Sequence, residues 1–367
     1  MAMRTAIGLM SGTSMDGVDA ALVRTDGAAA IEPFGSLTLP YPAALRRELA
    51  AVLGRKAAPR PLVDAITEVH RQAVAALLAQ DGMEAGAIDI VGLHGHTLFH
   101  DPGAGCTVQI GDASALATAT GIDVVSDFRS NDVARGGQGA PFAPLYHAAL
   151  AAGLDKPVAV LNVGGVANVT WIGAGFDIAA EPLDPDAILA FDTGPGNALI
   201  DDWIRRHTGG DFDADGQLAR SGQVSGEAVA AMLDLPYFAA VPPKSLDRNS
   251  FDLTAVDGLS AGDGAATLVA ITVEAAARSA RHFPAPVVRW LVCGGGRRNG
   301  AIMAALAEAL DAPVEPVEAV GWNGDALEAQ AFAWLAVRSL DGLPLSLPTT
   351  TGVDAPCPGG VIVRAKG

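Results

Sequence analysis

The hydrophobic positions of the chain divide it into two segments of the same design. Each segment opens with two short apolar runs that are joined by a glycine-containing turn, which is the pattern of a β-hairpin. The first hairpin joins Thr5–Met10 to Val18–Val23, and the second joins Val158–Val163 to Val166–Ile172. The repeat predicts two domains that each begin with a hairpin.

Apolar residues at three- and four-residue spacing predict helices after each hairpin. The predicted helices are 43–53, 62–78, 225–233, 265–281, 301–310 and 325–340, and the predicted single strands are 88–93, 122–126 and 287–292. Strands that alternate with helices predict an α/β fold with mixed sheets. We expect a first domain over 1–130 and a second over 131–344, with 345–367 folding back onto the first.

The composition narrows the possible partners. The 367 residues suffice for two domains, and 41 acidic against 24 basic side chains give a net charge of −17. Such a chain repels phosphate backbones, so we expect neither a nucleic acid nor a membrane partner. The uncharged stretch 157–176 is long enough to span a membrane, but its glycine and asparagine residues favour two strands and a turn. Three widely spaced cysteines fit a cytoplasmic protein.

The first hairpin turn, residues 8–19, has the residue types of a phosphate site. Its glycines allow a close approach of the backbone to an anion, and its hydroxyls add hydrogen-bond donors. Asp16 and Asp19 supply the carboxylates that a magnesium ion accepts beside phosphates. An ordinary hairpin turn explains the same residues equally well.

Two further glycine-rich turns follow apolar strands, at 162–168 and 293–300. A nucleotide commonly meets an α/β sheet at such strand ends. Asn299 replaces the third glycine of the dinucleotide fingerprint, and the chain contains no GK[ST] triplet, which excludes a Walker-type loop. The three turns together favour a nucleotide cleft, although each turn alone is a weak signal.

Asp192 provides the sharpest local signal. It ends a short apolar run and is followed by Thr-Gly-Pro-Gly, which holds it in a rigid loop. A carboxylate fixed at a strand end suits a general base. An aspartate that only caps a turn is the alternative. An aspartic protease is disfavoured, because no second Asp-Thr-Gly or Asp-Ser-Gly is present.

Three other features carry possible chemistry. His94, His96 and His100 could bind zinc, since period-two spacing places His94 and His96 on one face of a strand, and the alternative is histidines that only brace a loop. Arg129 could pair with a substrate carboxylate or with Asp132 or Asp127. Glu328 lies at a predicted helix start, where capping alone explains an acid.

The chain resembles the anhydro-N-acetylmuramic acid kinase family. The resemblance rests on GLMSGTSMDGVD at 8–19, HGxTxxH at 94–100, SDFRSNDVARGGQGAPFAP at 126–144, NVGGVAN at 162–168, FDTGPGN at 191–197, PPKS at 242–245, CGGGRRN at 293–299 and GDALEAQAFAWLA at 324–336. These motifs span almost the whole chain. His96 departs from the pattern, which has glutamine at that position.

The resemblance implies two actin-like, ribonuclease-H-like domains with mixed sheets flanking a nucleotide cleft. It implies an ATP- and Mg²⁺-dependent enzyme of peptidoglycan recycling that acts on 1,6-anhydro-N-acetylmuramic acid to give N-acetylmuramic acid 6-phosphate, and we expect a homodimer. Asp192 is then the catalytic base, and His94, Arg129 and Glu328 bind the sugar with it. A metal-dependent hydrolase using His94, His96 and His100 is the alternative.

The resemblance also assigns the ATP contacts, with Asp16 and Asp19 as the metal ligands. The expected ATP-binding residues are Gly12, Thr13, Ser14, Met15, Asp16, Gly17, Val18 and Asp19 in the first turn, Gly164, Gly165 and Asn168 in the second, and Gly294, Gly295 and Gly296 in the third.

Overall fold

The computed structural model describes residues 2–12, 15–246 and 250–365. Its strands are β1 (Arg4–Ser11), β2 (Gly17–Thr25), β3 (Ile31–Pro40), β4 (Ile90–Asp101), β5 (Cys106–Ile110), β6 (Val124–Ser126), β7 (Val158–Val163), β8 (Val166–Ile172), β9 (Ile188–Pro195), β10 (Arg289–Cys293), β11 (Val314–Pro316) and β12 (Val361–Val363).

Its helices are α1 (Ala43–Ala50), α2 (Arg60–Asp81), α3 (Ala113–Thr120), α4 (Ser130–Ala134), α5 (Pro144–Leu150), α6 (Asn197–Thr208), α7 (Gln217–Ser221), α8 (Gly226–Leu233), α9 (Pro236–Ala239), α10 (Ala261–Ser279), α11 (Gly300–Ala309), α12 (Leu327–Leu340) and α13 (Pro348–Thr351).

The strands form two mixed sheets with the same core topology. In the first sheet the order is β12-β6-β4-β1-β2-β3, with β5 paired to β4, and in the second it is β11-β10-β7-β8-β9. Each sheet begins with three consecutive antiparallel strands, and a fourth strand then pairs in parallel with the first of them. The predicted α/β class with mixed sheets and both predicted hairpins are confirmed.

Helix α12 lies unusually close to the first sheet. A Cβ atom on Gly8 of β1 would be 1.8 Å from the Ala329 carbonyl oxygen, and one on Gly92 of β4 would be 2.2 Å from that of Phe332. Only glycine fits where the backbones of helix and strand approach this closely. The first core lies on this sheet and includes Ile7 among its fully buried side chains.

The second sheet has its own core. One face of β7, β8 and β9 contributes Leu161, Val169 and Phe191, which pack with Trp203 of α6 and with residues of α10 such as Leu268. Since side chains alternate along a strand, the neighbouring residues Asn162, Asn168 and Asp192 point to the opposite face.

The division of the chain by contacts differs from the predicted boundary near residue 130. One unit comprises Met1–Gly153, Asp177–Pro185 and Ala326–Gly367, and the other comprises Leu154–Phe176 and Asp186–Asp325. Helix α12 belongs to the first unit because it packs on β1 and β4. The strand β12 pairs antiparallel with β6 of the same unit.

The six predicted helices all form, with ends shifted by a few residues. The uncharged stretch 157–176 contains β7 and β8, as the pattern of its polar residues indicated. Of the helices in the part of the chain that the structure describes, none combines the length and the apolar character needed to cross a membrane.

Candidate active site

The described part of the turn between β1 and β2 includes one residue with left-handed backbone. The Met15 N–H donates to the Gly12 carbonyl at 3.1 Å, and Met15 has a φ of 58°. Gly17 cannot carry a side chain, since its Cβ would lie 2.3 Å from the Leu39 carbonyl oxygen. Val18 is fully buried in the core, so only its backbone is available to a ligand. These phosphate contacts stay predictions.

Thr13 and Ser14, the hydroxyls predicted to assist in this turn, lie outside the described residues. The two predicted metal ligands differ in their surroundings. The Asp16 side chain is 73% exposed and lies 3.8 Å from the Arg46 guanidinium, whereas Asp19 accepts a hydrogen bond from the Thr38 hydroxyl at 2.5 Å. Carboxylate oxygens fit Mg²⁺, which needs only one or two of them when phosphates complete its coordination.

A buried chain of hydrogen bonds lies beneath the turn. The Tyr41 hydroxyl donates to the Ser11 hydroxyl at 2.8 Å, and Ser11 is 2.8 Å from Nδ1 of His96. Nε2 of His96 is buried without a hydrogen-bond partner among the described residues. His96 therefore supports Ser11 from inside the domain.

We expect acid to destabilise the protein as the pH falls from about 6.5 to 4. Burial lowers the pKa of His70 and His96 to about 4 and that of His147 to about 3. The unfolded chain takes up a proton on each ring near pH 6.5 while the native chain does not, so each ring costs about 1.4 kcal/mol of stability per pH unit in this window. Urea unfolding at several pH values measures the slope.

Two substitutions separate this effect from general acid sensitivity. His96→Gln removes one titrating ring, and the slope should become shallower by about 1.4 kcal/mol per pH unit. His207→Gln, at an exposed position, is the control for replacing a histidine by glutamine, and its slope is compared with that of His96→Gln. An identical slope in both variants would contradict the role assigned to burial.

His94 and Arg129 form a pair within the first unit. Nδ1 of His94 lies 2.8 Å from the Gly95 carbonyl and must donate to it, so Nε2 is the acceptor for Nε of Arg129 at 3.0 Å. Burial and the Arg129 charge both lower the pKa of His94, which keeps the ring neutral. Arg129 also donates to the Gly139 carbonyl at 2.5 Å. Asp132, one expected partner of Arg129, instead accepts from the Ser346 and Thr351 hydroxyls.

This pairing argues against the zinc alternative. Both ring nitrogens of His94 are engaged, and a guanidinium occupies the lone pair that a metal would need. Nδ1 of His96 is bonded to Ser11, and that of His100 lies 3.0 Å from the Thr107 hydroxyl. The described residues contain no group of three histidine, cysteine or acidic side chains placed to hold one metal ion. The expectation of a metal-dependent hydrolase is not supported.

Glu328 lies in the first turn of α12, but its side chain does not cap the helix. Glu328 is exposed as a whole residue, and its carboxylate makes no hydrogen bond or ion pair with the residues that the structure describes. Loss of hydration beside the surrounding protein raises the pKa of Glu328, the Asp19 carboxylate adds to this effect, and the Arg129 charge opposes it. Glu328 is therefore within electrostatic range of both Asp19 and Arg129. Phe332, one helical turn further on, packs against the His94 ring at 4.6 Å.

The second and third glycine turns meet at one edge of the second sheet. Strands β7 and β10 are parallel, with Asn162 beside Cys293, so the turns that follow them are neighbours. Gly294 has a φ of 73°, and a Cβ there would be 2.3 Å from Oδ1 of Asn162. The Asn197 N–H, at the start of α6, donates to the Gly164 carbonyl at 2.7 Å. The structure thus brings together two of the three predicted nucleotide turns.

Asp192 is 7% exposed and lies in β9, which belongs to the same sheet as these two turns. The pairing of β7, β8 and β9 places Asn162, Asn168 and Asp192 in one row across the sheet. The register shifts immediately after this pair, so Thr193 forms a bulge next to the aspartate. Bulges re-aim side chains and are frequent beside active sites. This row runs from the predicted base, Asp192, to Asn162, the first residue of the second glycine turn.

A family model described as anhydro-N-acetylmuramic acid kinase matches residues 4–365 of this chain. The chain belongs to the anhydro-N-acetylmuramic acid kinase family. The resemblance seen in its motifs is confirmed, and the enzyme class is that of a kinase, which is a phosphotransferase.

Members of this family align with the chain over nearly its full length. The anhydro-N-acetylmuramic acid kinase of Rhodospirillum rubrum is 56% identical over 97% of this chain and 93% of that protein. The one from Paramagnetospirillum magneticum is 55% identical over 97% of this chain and 98% of that protein. Among solved structures, component A of Acidaminococcus fermentans (R)-2-hydroxyglutaryl-CoA dehydratase covers 92% of this chain and 99% of its own, with 10% identity and a TM-score of 0.48.

The contacts that fix Asp192 in this kinase were missed by reasoning from sequence. The Leu246 N–H donates to Oδ2 of Asp192 at 2.7 Å, and the Asp192 N–H donates to the Lys244 carbonyl at 3.0 Å. The Tyr237 hydroxyl donates to the Asp192 carbonyl at 2.5 Å. Lys244 donates in turn to the Tyr237 carbonyl at 2.9 Å. The family motif PPKS at 242–245 was the available signal for this loop.

Proposed function

We propose that this kinase opens the anhydro ring of 1,6-anhydro-N-acetylmuramic acid and phosphorylates O6 with ATP, in peptidoglycan recycling. The products are N-acetylmuramic acid 6-phosphate and ADP. Family membership supports the phosphotransferase step, and the buried, oriented carboxylate of Asp192 carries the ring-opening step. A homodimer and a cytoplasmic location remain predictions.

The substrate dictates the chemistry. O6 is bonded to C1 in the anhydro bridge, so the sugar has no 6-hydroxyl to phosphorylate. The oxygen of a water molecule bonds to C1 while the C1–O6 bond breaks, and the electron pair of that bond goes to O6. O6 then bonds to the γ-phosphorus of ATP, and the bond between the γ-phosphorus and its bridging oxygen breaks to release ADP. One proton of the water must be removed by the protein.

Asp192 is the proposed acceptor of that proton. The Leu246 N–H holds Oδ2 in place, and the backbone on both sides of the carboxylate is tied to the 237–246 loop. A positioned base typically contributes 10²–10⁴-fold to the rate. The cross-strand neighbour Asn168 has an amide on the same face of the sheet, where it can bond to the same water or to a phosphate oxygen.

The sugar contacts are proposed for Arg129, His94 and Glu328. The substrate carries a lactyl carboxylate, and a guanidinium is its natural partner. The bond to His94 fixes the plane of the Arg129 guanidinium, so this residue is oriented before a ligand arrives. The carboxylate of Glu328 has acceptor oxygens for sugar hydroxyl or amide N–H groups.

The nucleotide contacts are proposed for the three glycine turns. Backbone N–H groups of Gly164, Gly165 and the 294–296 turn would donate to the nucleotide, together with those of 12–19. Asp16 and Asp19 would hold Mg²⁺, which neutralises phosphate charge when it is bound. Phosphoryl transfer needs mainly positioning and charge neutralisation, and these groups supply both.

The products test this proposal directly. We expect the protein, incubated with ATP, Mg²⁺ and 1,6-anhydro-N-acetylmuramic acid in ¹⁸O-water, to form a 6-phosphorylated sugar that carries the label at C1. Mass spectrometry with fragmentation locates the label, and a reaction without ATP is the control. Label found only in inorganic phosphate would indicate ATP hydrolysis and contradict the proposal, as would a phosphorylated sugar without label.

A further inference from the structure

The Gly294 carbonyl, in the third glycine turn, is held by a side chain that the proposed mechanism does not use. Nη1 of Arg297 donates to this carbonyl at 3.0 Å, and the Arg297 N–H donates to it at 3.3 Å. Gly294 has no side chain of its own to restrict this peptide, and it adopts a φ of 73°. Two donors from one residue fix its orientation.

Arg297 is itself held from three sides. Nε donates to the Glu318 carboxylate at 2.8 Å, and Nη2 lies 2.8 Å from the Asp325 carboxylate. The guanidinium is enclosed by the backbone at Gly324, where a Cβ would lie 2.4 Å from Nε. Only 6% of the Arg297 side chain is exposed. The planar fork of arginine carries its donors on three nitrogens and reaches three separated acceptors, whereas lysine carries all of its donors on one nitrogen.

The orientation of the carbonyl sets that of the next N–H group. The Gly294–Gly295 peptide is not one of the cis bonds of the described chain, so its C=O and N–H point in opposite directions. With the Gly294 oxygen turned toward Arg297, the Gly295 N–H is turned away from it. We propose that Arg297 is a positioning residue for the nucleotide, because it presents the Gly295 N–H of the third turn to ATP. This inference rests on the proposed nucleotide role of 294–296.

The neighbouring arginine provides a matched control. Arg298 also pairs with Asp325, but its side chain is 67% exposed and makes no contact with the Gly294 carbonyl. Arg298→Ala therefore removes one positive charge beside Asp325, as Arg297→Ala does. It leaves the hydrogen bonds from Arg297 to the Gly294 carbonyl in place. A difference between the two variants measures orientation rather than electrostatics.

The experiment compares Arg297→Ala, Arg297→Lys and Arg298→Ala with the unaltered protein. We expect Arg297→Ala to raise the KM for ATP by about tenfold, the value of one hydrogen bond to a charged group, with the KM for the sugar and kcat at saturating ATP changed by less than about twofold. Arg297→Lys should give a smaller rise in the same parameter. Arg298→Ala should leave all of these constants unchanged.

Calorimetric titration with ATP gives a readout that does not depend on turnover. The Kd for ATP should rise in Arg297→Ala by the same factor as its KM. An unchanged Kd in a folded Arg297→Ala or Arg297→Lys protein, or equal effects of the Arg297 and Arg298 variants, would overturn the inference. If Arg297→Ala does not fold, Arg297→Lys decides. The proposed function fails separately, if the unaltered protein binds ATP but forms no labelled sugar phosphate.

Discussion

Asp192→Asn is expected to lower kcat by about 10²- to 10⁴-fold, because an amide cannot accept the proton of the attacking water. The amide oxygen can still accept the Leu246 N–H, and the backbone contacts to Lys244 and Tyr237 do not involve the side chain. The Kd for ATP and the free energy of unfolding should therefore change little. Steady-state assays of the labelled product and calorimetric titration with ATP measure these effects.

Asp311→Asn is the control for this substitution. Asp311 is exposed in the same unit, so the same loss of charge there should leave kcat unchanged. A kcat for Asp192→Asn within about threefold of the unaltered protein would remove the assignment of the base. Loss of ATP affinity in parallel with kcat would instead indicate that Asp192 belongs to the nucleotide site.

Gly8→Ala is expected to lower the free energy of unfolding by about 3 kcal/mol or more, because the new methyl group meets backbone atoms that cannot move alone. The Cβ would lie 1.8 Å from the Ala329 carbonyl oxygen and 2.5 Å from the Ala333 nitrogen, so α12 must shift away from β1. Glu328, a proposed sugar contact, lies in the first turn of this helix, so any protein that still folds should show a raised KM for the sugar. Urea unfolding followed by circular dichroism measures the stability.

Gly86→Ala is the matched control for that substitution. A Cβ on Gly86 meets nothing within 4 Å, and the expected change in stability is less than about 1 kcal/mol, in either direction. Equal stabilities of the Gly8→Ala and Gly86→Ala proteins would show that α12 does not rest on the sheet as closely as described.

The local elements of the fold could be predicted because their signals are local. Helix α2 was expected over 62–78 and spans Arg60–Asp81, since Pro59 and Pro61 mark its start and the left-handed Gly82 ends it. Strand β3 was not predicted. Pro33 and Gly35 interrupt its alternation, and such residues are tolerated because β3 lies at the edge of the sheet.

The division of the chain could not be predicted in the same way. Nothing in the residues of α12 shows that Ala329 lies against Gly8, 321 positions earlier, or that Phe332 lies against Gly92, 240 positions earlier. Gly8 and Gly92 lie within strands, where glycine is otherwise unfavourable. The close approach of α12 explains both glycines, and that approach is seen in the structure rather than in the sequence. Sequence periodicity indicates which face of α12 is apolar but not which sheet it covers.

Side chains of the candidate site could be proposed from the sequence, but the groups that hold them in place could not. Motifs singled out Asp192, His94, Arg129 and Glu328, but their partners are often backbone groups, such as the Leu246 N–H and the Gly139 carbonyl. Every residue has backbone groups of this kind, so the sequence does not indicate which of them will bond to a given side chain. The zinc alternative failed for a related reason, because the Gly95 carbonyl determines which nitrogen of His94 has the lone pair.

The position of α12 and β12 affects the order in which a newly made chain can fold. Residues 154–176 and 186–325 leave the ribosome before residue 326 does, so the second sheet and its covering helices can assemble during translation. The first sheet cannot be completed until the last 40 or so residues have been made. Until then, α12 does not cover the surface of the sheet at Gly8 and Gly92. A chain that is truncated before α12 would therefore leave its earliest strands as an exposed apolar surface, prone to aggregation.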